Sequence, residues 1–395
     1  MRRSLYLSQD GVLDPVGWSQ VARVLMALAS AGRRYTLVSL EKRASLEDAV
    51  RVARARDALH AAGVEWRPAM FREGAPGAAV RNFGAMVAAT VARVREGVDL
   101  LHARSYPPAT TAAIVRRASR VPYVLDARGY WLDERLEAGG IPAAVEPAAR
   151  WLERRLYASA DAVVTLTELQ ADDVRRRFPG RPVVCIPTCA DFRVFVPRER
   201  AAEPRPEVLG DAVWVGLVGS INPSYRTEDA LRIAERMLAT RPDARLAVLT
   251  PQTALMRTLL ARASIPAKRV TVAHVPPDDM PRWVRHLDWA VQVLHETPAK
   301  RASMPTKLAE FLACGVRVVH HGCNEEVGAW IRRADGGIVL RDLSRASIET
   351  VAEAFRAYER DPAAAERTRN LASEHFSLDS GVRRYLALFE ALGVT

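Results

Sequence analysis

Residues 300–319, Lys-Arg-Ala-Ser-Met-Pro-Thr-Lys-Leu-Ala-Glu-Phe-Leu-Ala-Cys-Gly-Val-Arg-Val-Val, put three cations and a carboxylate around one helix start. Pro305 lacks an N–H and has the fixed φ of a first helical residue, with Ser303 or Met304 before it as the cap. Gly315 ends the helix about three turns later, and a β-branched run follows. A helix start carries unpaired N–H groups and partial positive charge, which suits an anion. Lys300, Arg301 and Lys307 crowd that start, and Thr306 lies within it. The chain has only four lysines among 57 basic residues, so two of them in one short segment is a concentration. Glu310 lies roughly 7.5 Å further along the helix axis at ~1.5 Å per residue. Phosphate at the tip and sugar hydroxyls beside the carboxylate is the chemistry of holding a nucleotide-sugar. The plain alternative is a helix-to-strand unit with a Gly stop, common in α/β proteins.

Other strand ends carry further candidates. Gly219-Ser220-Ile-Asn-Pro-Ser-Tyr-Arg226-Thr227 follows a strand directly. Gly219 permits close backbone approach, Thr227 is placed to cap the next helix, and Arg226 to reach a pyrophosphate. Thr250, followed by Pro251, and His274-Val275, followed by Pro276, close two more strands with rigid backbone suited to a base edge. In the first half, Gly11 and Gly17 allow a tight loop before a helix start. Asp126-Ala-Arg128-Gly-Tyr-Trp-Leu-Asp133-Glu134-Arg135 packs three acids, two arginines and two aromatics into one strand end. That density fits a substrate site, or else an internal ion-pair network. His102-Ala-Arg104-Ser ends a neighbouring strand and adds a cation.

These groups need a frame that gathers strand ends. Short strands are expected at Leu5–Ser8, Tyr35–Leu40, Val64–Arg67, Leu100–Ala103, Tyr123–Leu125, Ala162–Leu166 and Val183–Ile186, with helical runs between them such as Ser19–Ala31, Leu46–Ala62 and Ala143–Ala158. After a charged, proline-rich stretch the alternation restarts: strands at Ala212–Val218, Ala244–Leu249, Val270–Ala273, Trp289–Leu294 and Val316–His320, with helices at 227–240, 252–263, 279–287, 305–314 and 325–333. The last sixty residues read as helical. Such alternation predicts parallel sheets covered on both faces. The expected architecture is α/β, with two Rossmann-like domains facing across a cleft and ligands at the carboxyl ends of the strands. The boundaries are residues 1–195 for the first domain, 196–211 for a linker, 212–375 for the second, and 376–395 for a final helix packing back on the first domain.

Composition narrows the class. The 395 residues are 49% hydrophobic and 26% charged, as in globular proteins. No apolar run approaches the roughly 20 residues of a membrane span, and the N-terminus reads as a strand and not as a signal peptide, so a cytoplasmic protein is expected. The net charge of +11 comes almost wholly from arginine, clustered at 33–34, 116–117, 154–155 and 175–177. No nucleic-acid-binding motif accompanies them, and peripheral contact of the first domain with anionic lipid at the inner membrane surface is the alternative to a plain solvated surface. Cys185, Cys189, Cys314 and Cys323 lack zinc-site spacing and read as free thiols. There is no Asp-x-Asp, Gly-x-Ser-x-Gly or His-Glu-x-x-His, so no metal ligand set or cofactor is expected.

Together these segments resemble the retaining GT-B glycosyltransferases of family 4, in particular a subgroup that builds bacterial polysaccharides. Ser303-Met-Pro-Thr-Lys307-Leu-Ala-Glu310 through Val319 is similar to the family's donor motif. Leu166-Thr-Glu168, Ile186-Pro-Thr-Cys-Ala-Asp191 and Asp126-x-Arg128-Gly-x-Trp-x-Asp-Glu-Arg135 are weaker matches. The resemblance implies metal-independent transfer, with retention, from a UDP-, GDP- or dTDP-sugar to a glycan or polyprenyl-linked acceptor, with the first domain as the acceptor domain and the second as the nucleotide-sugar domain. It implies donor contacts at Ser220, Arg226, Thr250, His274, Val275, Arg301, Ser303, Thr306, Lys307 and Glu310, with Arg226, Arg301 and Lys307 on the phosphates and Glu310 on the ribose. Asp126 and Arg128 fall in the catalytic, acceptor-side positions, and Gly17, Arg104, Asp133, Glu134 and Arg135 in acceptor contacts. Three departures stand out. Ala302 occupies the place of a Glu that contacts the transferred sugar, Ser220 that of an Arg, and Arg128 that of a His. A nucleotide-sugar epimerase and a non-catalytic nucleotide-sugar-binding protein are the rival readings.

Overall fold

Two separate stretches of the chain build the first of two units. The computed structural model describes residues 3–74 and 76–394; unit one holds residues 3–187 and 378–394, and unit two holds 188–377. Unit one contains seven parallel strands: β1 (Arg3–Ser8), β2 (Arg34–Lys42), β3 (Val64–Phe71), β4 (Leu100–Arg104), β5 (Tyr123–Asp126), β6 (Ala162–Thr165) and β7 (Val183–Cys185). Their order is β3-β2-β1-β4-β5-β6-β7. β4 and β5 are buried along their whole length, and β1 beyond Arg3, as a sheet covered on both faces requires. Leu5, Leu7, Val38, Leu101, Tyr123, Leu125 and Val163 form its core with Ala109, Leu132 and Leu156 from the helices.

Unit two repeats the plan with β8 (Val213–Val218), β9 (Ala244–Leu249), β10 (Val270–Ala273), β11 (Trp289–Val293), β12 (Arg317–His321) and β13 (Gly337–Val339), ordered β10-β9-β8-β11-β12-β13 and all parallel. The strand expectations hold to within a few residues. β13 escapes the sequence because it is three residues long and opens on a glycine. That glycine is required: Gly337 has φ +145°, and a Cβ there would collide with the Val318 backbone of β12.

In both sheets winding reverses between the first strand and its later neighbour, β1 beside β4 and β8 beside β11. Crevices at such switch points are where open α/β sheets bind ligands.

The expected linker is a correction. Residues 196–211 belong to unit two and pack on it: Arg282 donates to the Pro204 carbonyl at 2.8 Å, Arg205 pairs with Asp211 at 2.6 Å, and Leu209 is fully buried. Proline and charge mark an ordered, hydrogen-bonded strap here, and the chain passes between units at 187/188 and 377/378. The helix Leu378–Ala391 belongs to unit one.

Candidate functional site

The loop after β1 is held by a buried carboxylate. Glu41, near the end of β2, accepts from the Val12 N–H at 2.8 Å, the Leu13 N–H at 3.2 Å and the Ser39 hydroxyl at 2.5 Å. Burial pushes the Glu41 carboxyl up, against the pull of those three donors. Gly11 abuts this carboxylate, and Gly17 abuts the Gly11 carbonyl, so any side chain at either position collides. Gly17 is therefore buried and packed against the Gly11 carbonyl.

The ends of β4 and β5 meet beside that loop. Arg104 donates from Nε to Asp10 Oδ2 at 2.8 Å and is 5% exposed. Burial alone would lower its pKa, but Tyr6, Asp10 and Asp126 more than offset this and raise it, so the guanidinium stays charged. Asp126 is fully buried. It faces Arg128 Nη1 at 3.5 Å, accepts from the Tyr385 hydroxyl at 3.2 Å, and lies 3.8 Å from His102 Nε2. Burial would raise its carboxyl, yet Arg128, His102 and Arg104 hold it well below the usual range. Burial in turn lowers the His102 pKa, against the pull of Asp126. Asp126 thus positions Arg128 from beneath; its carboxylate does not reach the surface where a substrate would sit.

After β5 the chain turns through Arg128 (φ 45°) and Gly129 (φ 93°) into the helix Trp131–Glu137. Gln170 fixes the turn by donating to the Gly129 carbonyl at 2.9 Å. Asp133 pairs with Arg150 at 2.5 Å, which is the internal ion pair weighed against a substrate role. Glu134 is half-buried on the same helix, and the Arg135 guanidinium lies 5.4 Å from the Trp131 ring centroid. Around these groups opens a cavity of about 370 Å³, lined by the loop after β1, the ends of β2, β3 and β4, and by Arg128, Trp131 and Arg135. It occupies the β1/β4 switch point. Of the acceptor-side residues read from sequence, Arg104, Arg128 and Arg135 line it; Gly17, Asp126, Asp133 and Glu134 do not.

In unit two the loop after β8 is stitched to β11. Arg226 N–H donates to the Val293 carbonyl at 2.9 Å and His295 N–H to the Ser224 carbonyl at 3.1 Å. Gly219 has φ +131°. Ser220 and Arg226 line a small hollow of about 50 Å³ there, with Gly219, Tyr225 and Thr227. Arg226 itself, not Thr227, is the cap position of the helix Thr227–Thr240, and no side chain caps it. Its guanidinium pairs with Asp229 at 2.6 Å. Thr250 is buried after β9, donating to Gln252, whose Oε1 also receives the Ile221 N–H at 3.2 Å. His274 is exposed and Val275 buried beyond β10.

The 300–319 segment differs in detail from expectation. Lys300 and Arg301 lie in a 3-10 turn, Pro298–Ala302, and the helix is Thr306–Ala313 with Pro305 as its cap. Ser303 is fixed by Asn324, which donates to its carbonyl at 2.6 Å. Lys307 Nζ lies 2.8 Å from Glu310 Oε2, so the phosphate ligand and the ribose ligand read from sequence are ion-paired to each other. Ala302 is fully buried, and Arg301 is exposed.

Sequence reading missed Glu41, Gln170, Gln252 and Tyr385. Glu41 left a trace, an acid closing an apolar strand. Tyr385 left none, lying 259 residues from the aspartate it meets.

Residues 17–189 match the model of the glycosyl transferase 4-like domain. Those residues fall almost wholly in unit one, which is thus similar to the glycosyl transferase 4-like domain over that stretch. D-inositol 3-phosphate glycosyltransferase of Kribbella flavida is 28% identical over 247 residues, 58% of this chain and 56% of the relative, so the match spans little more than half of that protein's length. Among solved structures, HepE of Anabaena in complex with UDP and glucose superposes with a TM-score of 0.70 at 14% identity, covering 99% of this chain and all of that one. A protein described as a putative UDP-N-acetylglucosamine 2-epimerase from Listeria monocytogenes gives 0.66 at 12% identity, covering 100% and 98%. At such identities the likeness is one of fold. It agrees with the expected GT-B class of two parallel α/β units, the first of which holds the residues that match the family model.

Proposed function

We propose that the protein transfers a sugar from a nucleotide diphosphate sugar to a glycan or lipid-linked acceptor, with retention and without a metal. The observation that carries this reading is the cavity at the switch point of unit one, whose lining cations Lys42, Arg104, Arg128 and Arg135 all lie within the residues that match the glycosyl transferase 4-like domain. The donor binds at the corresponding ends of β8–β11. There Arg301 and Arg226 face the diphosphate, with Lys307 joining once Glu310 turns to the ribose hydroxyls. Preorganised cations and N–H groups at a leaving diphosphate stabilise the charge that develops as the glycosidic bond breaks. UDP is the first nucleotide to test, because a structure of the same fold holds it.

The epimerase reading needs carboxylates free to move protons at the sugar. Asp126 is buried under Arg128 and Tyr385, and Asp133 is paired with Arg150, which favours transfer. Incubation with UDP-sugars and an acceptor panel, with anomeric products read by NMR, tests the proposal. Epimerised donor appearing without acceptor, or binding with neither transfer nor hydrolysis, would replace it.

The acceptor class includes lipid-linked glycans because unit one exposes a basic face with a tryptophan that would suit a lipid surface. The helix Glu146–Ser159 exposes Trp151 (55%), Leu152, Arg154 and Arg155, and packs on the helix Tyr106–Ser119, which exposes Ile114 and Arg117. An exposed tryptophan among arginines that have no carboxylate partner among the described residues suits an anionic membrane surface. No helix among the described residues is long and apolar enough to cross a membrane.

A further inference from the structure

We propose that the cavity of unit one takes an acceptor bearing an oxyanion, a phosphate or a carboxylate, and that Arg104, Ser105, Arg128 and Arg135 hold that group. The proposal rests on the transfer reading above and names its acceptor class.

The first support is a census of donors. Arg104 Nη1, Ser105 Oγ and Arg128 Nε are buried polar atoms with no hydrogen-bond partner among the described residues, and all three residues line the cavity. Buried polar groups are nearly always paired, and each exception calls for a reason. Three at one wall, two of them guanidinium N–H groups that can only donate, call for a ligand rich in acceptors. Charge-assisted bonds from guanidinium to phosphate or carboxylate are the strong form of that contact.

The second support is charge. Lys42, Arg104, Arg128 and Arg135 line the cavity against Asp10 and Asp14. Both carboxylates are already engaged, Asp10 by Arg104 at 2.8 Å and Asp14 by Lys42 at 2.9 Å. Arg135 is exposed, and among the described residues its guanidinium meets the Trp131 ring and no carboxylate within salt-bridge distance. The balance at the wall is positive.

The third is backbone geometry. Only four non-glycine described residues have positive φ, and two of them, Ser105 (69°) and Arg128 (45°), stand on this wall. Ser105 adds ψ 179°, a region that is essentially glycine's own. Strain of this kind persists where the fold must aim particular groups at a ligand. Trp131, Phe71 and Leu40 supply the apolar faces that a sugar ring lies on, and the volume is that of a small-molecule site.

The test is a titration of the full chain with D-glucose 6-phosphate, D-glucuronate and D-glucose, followed by calorimetry. At least one anion should bind about tenfold more tightly than glucose, as expected of charge-assisted recognition. Preference for the phosphate alone assigns a phosphate-bearing acceptor; preference for both assigns any oxyanion. Arg104→Gln should erase the preference, and Arg135→Ala, at an exposed position that leaves the fold intact, should reduce it several-fold. Equal affinity for charged and neutral sugars, no saturable binding of either anion, or a preference undiminished in Arg135→Ala, overturns the proposal. UDP binding is measured in the same samples. Its absence from the wild-type chain would sink the transfer reading while the oxyanion preference stays measurable on its own.

Discussion

At the scale of single residues, the pairing of Lys307 with Glu310 changes what each variant should do. Glu310 is buried, and an unpaired buried charge is costly. Lys307→Ala should therefore lower the melting temperature as well as weaken UDP binding, while Glu310→Gln, which leaves only a half-exposed lysine, should weaken UDP with a smaller stability loss. Calorimetry beside thermal unfolding separates the two; UDP affinity unchanged in both variants would remove the donor assignment. The three-residue spacing of this pair is visible in the sequence, but spacing says only that the groups can meet. Whether a cation serves a ligand or a neighbouring acid depends on burial, which the sequence does not display. His320 offers a second residue-scale test. Its burial in β12, with His321 beside it, pushes its pKa down to about 4. Below pH 6.5 the unfolded chain takes up a proton that the folded chain refuses, so this contribution is whole above 6.5 and disappears between there and about 4. It amounts to on the order of 3 kcal/mol. In His320→Gln, denaturant midpoints measured from pH 7 to 4.5 should fall less steeply than in the wild type.

At the scale of elements, the sheets were legible because buried parallel strands are short apolar runs between helical periods. The loops that make the site were legible only in part. Glycines at 11 and 17 announce a tight turn, but not that each closes on a particular oxygen. Gly17→Ala should unfold that loop and lower stability by about 2 kcal/mol or more, through overpacking against backbone. Limited proteolysis near residues 9–18 would report it. Ser105→Gly runs the other way. Relief of its backbone strain should raise the melting temperature, by about 1 kcal/mol equivalent, even as one ligand contact is lost. A stability gain with weaker acceptor turnover is the expected pair of results; a loss of stability would contradict the strain.

At the scale of the whole molecule, two repeats of one winding were readable from alternation alone, but the proline-rich strap was misread. Proline and charge signal the absence of a regular element, not the absence of packing. The basic, tryptophan-bearing helical face of unit one gives a whole-molecule prediction. The protein should sediment with vesicles containing anionic lipid and not with neutral ones, and Trp151→Ala combined with Arg154→Glu should release it. Equal sedimentation with neutral vesicles would remove the membrane assignment.

Tyr385 reaches Asp126 from the final helix, and Arg33 donates to the Val394 carbonyl and lies 4.5 Å from the Phe389 ring. Domains generally fold as units while the chain leaves the ribosome from its N-terminal end. Here unit one cannot close when its seventh strand emerges, because its last structural members are translated only after all of unit two. Unit two is thus able to finish folding before unit one, and the arginine that faces the cavity acquires its complete support only after unit two has been translated. A fragment of residues 1–187 should be poorly stable alone and should gain protection against hydrogen exchange around β4 and β5 when a peptide spanning residues 378–395 is added.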